Sequence, residues 1–127
     1  MAINLTRFEL EIMDVFWRVK EASVREVCDA LAEKKRPAYT TVQTIVQRLE
    51  TKGALARTRK IGNALMFAPA VTRKSAYRRI LDELLDLFGG SAQPVVAQLL
   101  ESGKLTLEDL KALEKTETAR RKKGDQP

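Results

Sequence analysis

The chain has 127 residues, a formal net charge of +6 and 44% hydrophobic residues, the size of one domain or of one small domain with an appendage. It holds no histidine and one cysteine. That rules out an internal disulfide, nearly excludes a zinc or copper site built from N and S ligands, and removes the commonest general base, so no metal, cofactor or enzymatic activity is expected.

Aromatic residues are few, so a core must rest on Leu, Val, Ile and Ala. No apolar run approaches the roughly 18 residues of a membrane span, and the N-terminus lacks a basic segment followed by an apolar one. A cytoplasmic protein without membrane insertion is expected.

The first helix is predicted to start at the capping box Thr6-Arg-Phe-Glu9. It carries two apolar stripes, Leu10, Met13 and Trp17 on one side and Phe8, Ile12, Val15 and Val19 on the other. A helix apolar on two sides needs two covers, one from the local core and one from elsewhere in the chain or from a second subunit. A second capping box, Ser23-Val-Arg-Glu26, opens a helix expected to reach about Lys34 on the stripe Val24, Val27, Cys28 and Leu31. Lys35-Arg36-Pro37-Ala38 then breaks the pattern.

The third helix is predicted over Tyr39–Lys52, with Gly53 as its terminator. Val42, Ile45, Val46 and Leu49 fall at i, i+3, i+4 and i+7. Thr40, Thr44, Gln47 and Thr51 lie opposite, flanked by Gln43 and Arg48. Hydroxyls, amides and a guanidinium are the groups that bond base edges and phosphates. A capping box over Thr40 and Gln43 is a competing use for Gln43. Basic residues crowd the same region. From Lys34 to Lys60 stand Lys34, Lys35, Arg36, Arg48, Lys52, Arg57, Arg59 and Lys60 against one acid, Glu50. That window carries +7 and the rest of the chain −1, which points to a polyanion.

Leu55 to Arg59 and Ala64 to Ala68 read as two short strands joined at Gly62-Asn63. Pro69 closes this unit. Helical segments follow from Thr72 to Phe88, after Pro94, and from the Thr106-Leu-Glu-Asp109 box, separated by Gly89-Gly90 and Gly103. Their leucine-rich faces carry more apolar surface than about 46 residues can cover alone, so a two-fold dimer is expected. Ile80, Leu81, Leu84, Leu85, Phe88, Val95, Val96, Leu99, Leu100 and Leu110 are its candidate contacts. The charged end of the chain is expected to fray.

The fold class so predicted is mainly α. A winged helix-turn-helix of three helices and a β-hairpin wing over 1–70 is followed by a helical dimerisation segment over 71–127. The candidate DNA-binding residues are Tyr39, Thr40, Thr41, Gln43, Thr44, Gln47 and Arg48 on the third helix and Arg57, Arg59 and Lys60 on the wing. Gln43 suits adenine, the Thr44 methyl suits a thymine methyl, and Arg48 suits guanine or phosphate. Two alternatives stand beside DNA binding: a winged-helix module that docks proteins, and a ligand-sensing winged-helix regulator.

The run from Tyr39 to Gly53-Ala-Leu, with Leu5-Thr, Glu9 to Trp17 and Val24-Arg-Glu-Val before it, resembles the penicillinase-repressor family of transcriptional regulators. The likeness covers about residues 4 to 113. It implies a homodimeric repressor on a palindromic double-stranded operator, and a membrane-bound sensor protease, or its effector, as the inducing partner. The bond cleaved in better-known members falls at Gln98-Leu99 here, where those members have Asn-Phe. Where some members carry Lys and Arg on the recognition helix, this chain has Thr40 and Gln43, so a different operator is expected. A copper-responsive branch has cysteine pairs that this chain lacks.

Overall fold

Two reciprocal capping boxes set the N-terminal architecture. The Thr6 hydroxyl accepts from the Glu9 N–H while the Glu9 carboxylate accepts from the Thr6 N–H at 2.8 Å, and Ser23 and Glu26 repeat the arrangement. They open α1, Arg7–Val19, and α2, Val24–Leu31. The computed structural model describes residues 4–32 and 37–124. The continuation of α2 expected as far as Lys34 falls beyond them, as do Lys34, Lys35 and Arg36 of the basic window and the last three residues of the charged tail.

Helix α3, Tyr39–Lys52, ends at Gly53, whose φ of 86° is open to glycine at little steric cost. The Ala54 N–H closes back on the Leu49 carbonyl at 2.9 Å, as a left-handed helix end requires. Strands β1, Leu55–Ile61, and β2, Ala64–Pro69, pair antiparallel. Gly62 has φ 61° while Asn63 stays at negative φ. This is the pattern of a type II′ turn, whose twist matches that of the strands it joins. Arg57 faces Phe67 but Arg59 faces Met66, so Thr58 is the extra residue of a β-bulge. On its other side β2 is tied to the α1–α2 connection: the Ala22 N–H donates to the Phe67 carbonyl at 3.0 Å and the Phe67 N–H to that of Ala22 at 2.8 Å.

The chain then forms α4, Arg73–Leu87, α5, Gln93–Glu101, and α6, Leu107–Gly124. It divides into two compact units, one up to Leu81 and one from Asp82 onward. In the first, Ile12, Met13, Phe16, Val27, Leu31, Val42, Val46, Leu49, Leu55 and Phe67 form one buried cluster. Both stripes of α1 are covered by this same chain: Ile12, Met13 and Val15 are buried, Phe8 and Trp17 pack on the cluster, and Val19 stays exposed. Cys28 belongs to the cluster, and burial raises its thiol pKa, as suits a small core residue rather than a nucleophile.

One charged side chain is sealed inside. Glu9 has no accessible surface, and Lys52 at the end of α3 donates to its Oε1 at 2.7 Å and to the Asn4 carbonyl at 2.8 Å. Burial pushes the Glu9 carboxyl up, but the hydrogen bonds from Lys52 and Thr6 outweigh it and hold the group below its ordinary value of 4.5. This pair pins the start of α1 to the end of α3.

Stability drawn from Glu9 is therefore complete above about pH 4.5 and is lost as pH falls through the folded pKa. In denaturant titrations the gap between the parent and Glu9→Gln should narrow below that pH. A gap that stays constant on acidification contradicts the assignment. Lys52→Met should cost about 3 kcal/mol, the low end for removing one partner of a buried pair, because Lys52 keeps some solvent contact.

Candidate nucleic-acid interface

The face of α3 away from the core is set by which face is buried. Val42, Ile45, Val46 and Leu49 point inward, and Tyr39, Thr40, Thr41, Gln43, Thr44, Gln47 and Arg48 are all exposed. The competing capping box over Thr40 and Gln43 does not form. Ala38 is the N-cap and no side chain caps the helix, because α3 already begins at Tyr39 and puts Thr40 inside its first turn. The Gln43 amide is thereby left for a partner, and the uncapped N-terminus is suited to an anion. Two threonines of the helix spend their protons locally: the Thr44 hydroxyl donates to the Thr40 carbonyl at 2.9 Å, and that of Thr51 to Gln47 at 3.0 Å. Thr44 can then offer its methyl group and oxygen lone pairs, but not its proton.

The basic window is less free than its count implies. Lys52 is committed to Glu9. Arg57 on β1 pairs with Glu50 of α3 at 2.7 Å, and Arg59 pairs with Glu21 at 2.7 Å, where Thr58 also donates. The Arg59 guanidinium and the Thr58 hydroxyl hold the Glu21 carboxyl below the ordinary glutamate value. Both wing pairs are exposed enough to be weak and exchangeable. Arg48 on α3 and Lys60 on β1 form no ion pair among the described residues.

Sequence reasoning passed over Arg25. Its guanidinium lies over the Tyr39 ring, 4.8 Å from the centroid, a cation–π contact that ties α2 to the first residue of α3. Arg25, Tyr39, Gln43, Gln47 and Arg57 line one cleft of about 190 Å³ between α2, α3 and the wing. Spacing gave no sign of Arg25, since it sits in a capping-box segment far along the chain from α3. Glu21 was passed over for the same reason, being separated by 38 residues from the arginine it holds.

From α4 onward the candidate dimer-contact residues are poorly covered. Ile80, Leu81, Leu84 and Phe88 are exposed, while Leu85, Val95, Val96, Leu99, Leu100 and Leu110 are half-buried. No described residue from Asp82 onward is fully buried. Gln98 and Leu99 lie within α5, where the Ser102 N–H donates to the Gln98 carbonyl at 3.0 Å.

The sequence profile of the penicillinase repressor family matches residues 5–118. The penicillinase repressor of Bacillus licheniformis is 29% identical over 106 residues, 83% of this chain and 82% of that protein. The transcriptional regulator BlaI of Mycobacterium tuberculosis is 35% identical over 104 residues, 79% of this chain and 67% of that one. Among solved structures, the DNA-binding domain of the repressor BlaI superposes with a TM-score of 0.53 at 28% identity, covering 59% of this chain and 90% of that domain.

The Thr44 geometry yields a paired test. Thr44→Val keeps the methyl group and removes a hydroxyl whose proton is already used, so DNA affinity should stay within about two-fold. Thr44→Ser removes the methyl and should weaken binding by about 1 kcal/mol, the low end for a specific base contact. Titration of both variants against one duplex checks it; the reverse order contradicts the methyl assignment.

Proposed function

This chain belongs to the penicillinase repressor family, and we propose that it acts as a homodimer on a palindromic operator, reading bases with Gln43, Thr44 and Gln47. It is a DNA-binding transcriptional repressor. The observation that carries the base-reading assignment is the outer face of α3, where the side chains of Gln43, Gln47 and Arg48 are exposed and have no partner among the described residues. Tyr39, Thr40 and Thr41 at the uncapped N-terminus, with Arg48, Lys60 and the exchangeable Arg57 and Arg59, supply phosphate contacts. Those contacts fix register and carry most of the salt dependence, whereas the amides carry sequence. On this reading the chain works by binding alone, in the cytoplasm; no helix of the described residues is long and apolar enough to cross a membrane.

The dimer rests on the second unit. Leu84, Leu87, Phe88, Leu107 and Leu113 are exposed, and a second copy burying the same side chains gives these helices the shared core they lack. Two winged helices held together then bind half-sites about one helical turn apart, 34–36 Å, or a multiple of it. A sensor protease that ended repression between Gln98 and Leu99 would have to open a turn of α5 first, since that bond lies inside a hydrogen-bonded helix.

Two substitutions separate reading from gripping. Gln43→Ala should cost about 1–3 kcal/mol on the preferred operator and little on random duplex. Lys60→Ala should weaken both alike and lower the salt slope by about 1. Equal, uniform losses from both, measured by gel shift over a salt series, would remove the base-reading role of Gln43.

A further inference from the structure

Two arginines line the cleft between α2, α3 and the wing: Arg25, the second residue of α2, and Arg57 on β1. Gln43 and Gln47 of α3 line it with them, and all four belong to the first compact unit. Each guanidinium is held by a contact that leaves most of its donors over. Arg25 lies over the Tyr39 ring, 4.8 Å from the centroid, a contact that uses its charge and none of its N–H groups. It forms no hydrogen bond or ion pair among the described residues. Arg57 gives its Nε–H to the Glu50 Oε2 at 2.7 Å, and its terminal amino groups donate to no described residue. A guanidinium carries five N–H donors in a fixed fork, so both arginines bring donors to spare.

The lining decides what can occupy the cleft. Among the described residues no acid lines it, and the charge it presents is positive. At about 190 Å³ it is smaller than the roughly 300–1,000 Å³ of pockets that enclose a drug-sized molecule. Its occupant is therefore small, anionic and rich in acceptor oxygens. A phosphate of the DNA backbone has that chemistry, and its oxygens match the guanidinium fork. Tyr39 and Glu50 hold the two arginines in place beforehand, so little side-chain freedom is left to lose on binding. A strand lying here also passes beside Gln43 and Gln47, where the bases are met.

We infer that Arg25 is a DNA-binding residue, gripping a backbone phosphate from the α2 side of this cleft while Arg57 grips the same strand from the wing. The inference rests on the DNA-binding reading above and adds to it a contact from outside α3 and the wing. The two arginines act as a clamp that fixes where the strand lies, and so which bases Gln43 and Gln47 can reach.

The test uses the full chain, a duplex recovered from random DNA, a random duplex of equal length, and copies of the recovered duplex with single phosphates replaced in turn by an uncharged methylphosphonate. Arg25 is exposed, so its replacement leaves the core intact. Arg25→Gln should weaken both duplexes alike, by about five-fold at equal salt, and lower the salt slope by about 0.9 for each protomer bound. Arg25→Lys should keep the parent's slope and lose about two-fold, because it keeps the charge but gives up the fork. A methylphosphonate that weakens the parent should have no further effect on Arg25→Gln, and another on the same strand should behave likewise for Arg57→Gln. A loss in Arg25→Gln with the parent's slope overturns the inference, since Arg25 would then serve only to place Tyr39. So does an Arg25→Gln protein that binds as the parent does, or one still sensitive to every methylphosphonate that weakens the parent. Sensitive positions on opposite strands for the two arginines overturn the clamp. If random DNA yields no preferred sequence, the base-reading roles of Gln43 and Gln47 fail instead, and the slopes on random duplex still decide the role of Arg25.

Discussion

The buried stripe of Val42, Ile45, Val46 and Leu49 allows α3 only one rotation about its axis, and what the molecule can present to a partner follows from that constraint. Turning the helix by one residue, about 100°, would bring polar side chains into a core of Phe16, Val27, Leu31 and Phe67. Rotation alone leaves the helix free to slide or tip. The far end is therefore held by Lys52, which reaches the sealed carboxylate of Glu9 and the backbone of Asn4. The near end is held by Tyr39 under the Arg25 guanidinium. Between these two anchors the side chains of Gln43, Gln47 and Arg48 have no partner among the described residues, so their hydrogen-bonding groups stay open to a partner outside the chain.

Charge is arranged by the same economy. A linear count between Lys34 and Lys60 suggests a uniformly cationic surface, yet folding brings Glu9 and Glu21 in from outside that window. Lys52 becomes a structural residue. Arg57 and Arg59 become paired but exposed, able to exchange a carboxylate for a phosphate at modest cost. Arg48 and Lys60 form no ion pair among the described residues. Among the described residues, the candidate interface holds two cations without an ion pair and two in exchangeable pairs, around a row of amides and hydroxyls.

Much of this was legible in the sequence because local rules govern it. The capping boxes at Thr6 and Ser23, the inward stripe of α3, the stop at Gly53 and the turn at Gly62-Asn63 are each written within a few residues. What could not be read depends on contacts across tens of residues. Glu9 shows its capping role in sequence but not its burial against Lys52. Arg25 and Glu21 carry no local mark of the ring and the guanidinium they meet. The Thr40–Gln43 box was a false local signal: the spacing is right, but the N-cap is Ala38, two residues too early for Thr40 to cap the helix. Trp17 reads as one member of a stripe, and only the fold shows it gathering Val71, Arg73 and Tyr77.

The second unit completes the account by what it leaves uncovered. Its leucines are placed as a core would place them, yet none from Asp82 onward is fully buried within one chain, and a second copy is the partner that matches such a surface. The central claim is that α3 reads bases as one of a symmetric pair. Selection of bound sequences from a random duplex pool tests it most directly. The account predicts enrichment of two inverted half-sites, their centres one helical turn or a multiple apart, with both halves altered together in the pool selected by Gln43→Ala. Enrichment of a single unpaired site, or of no sequence at all, would contradict it.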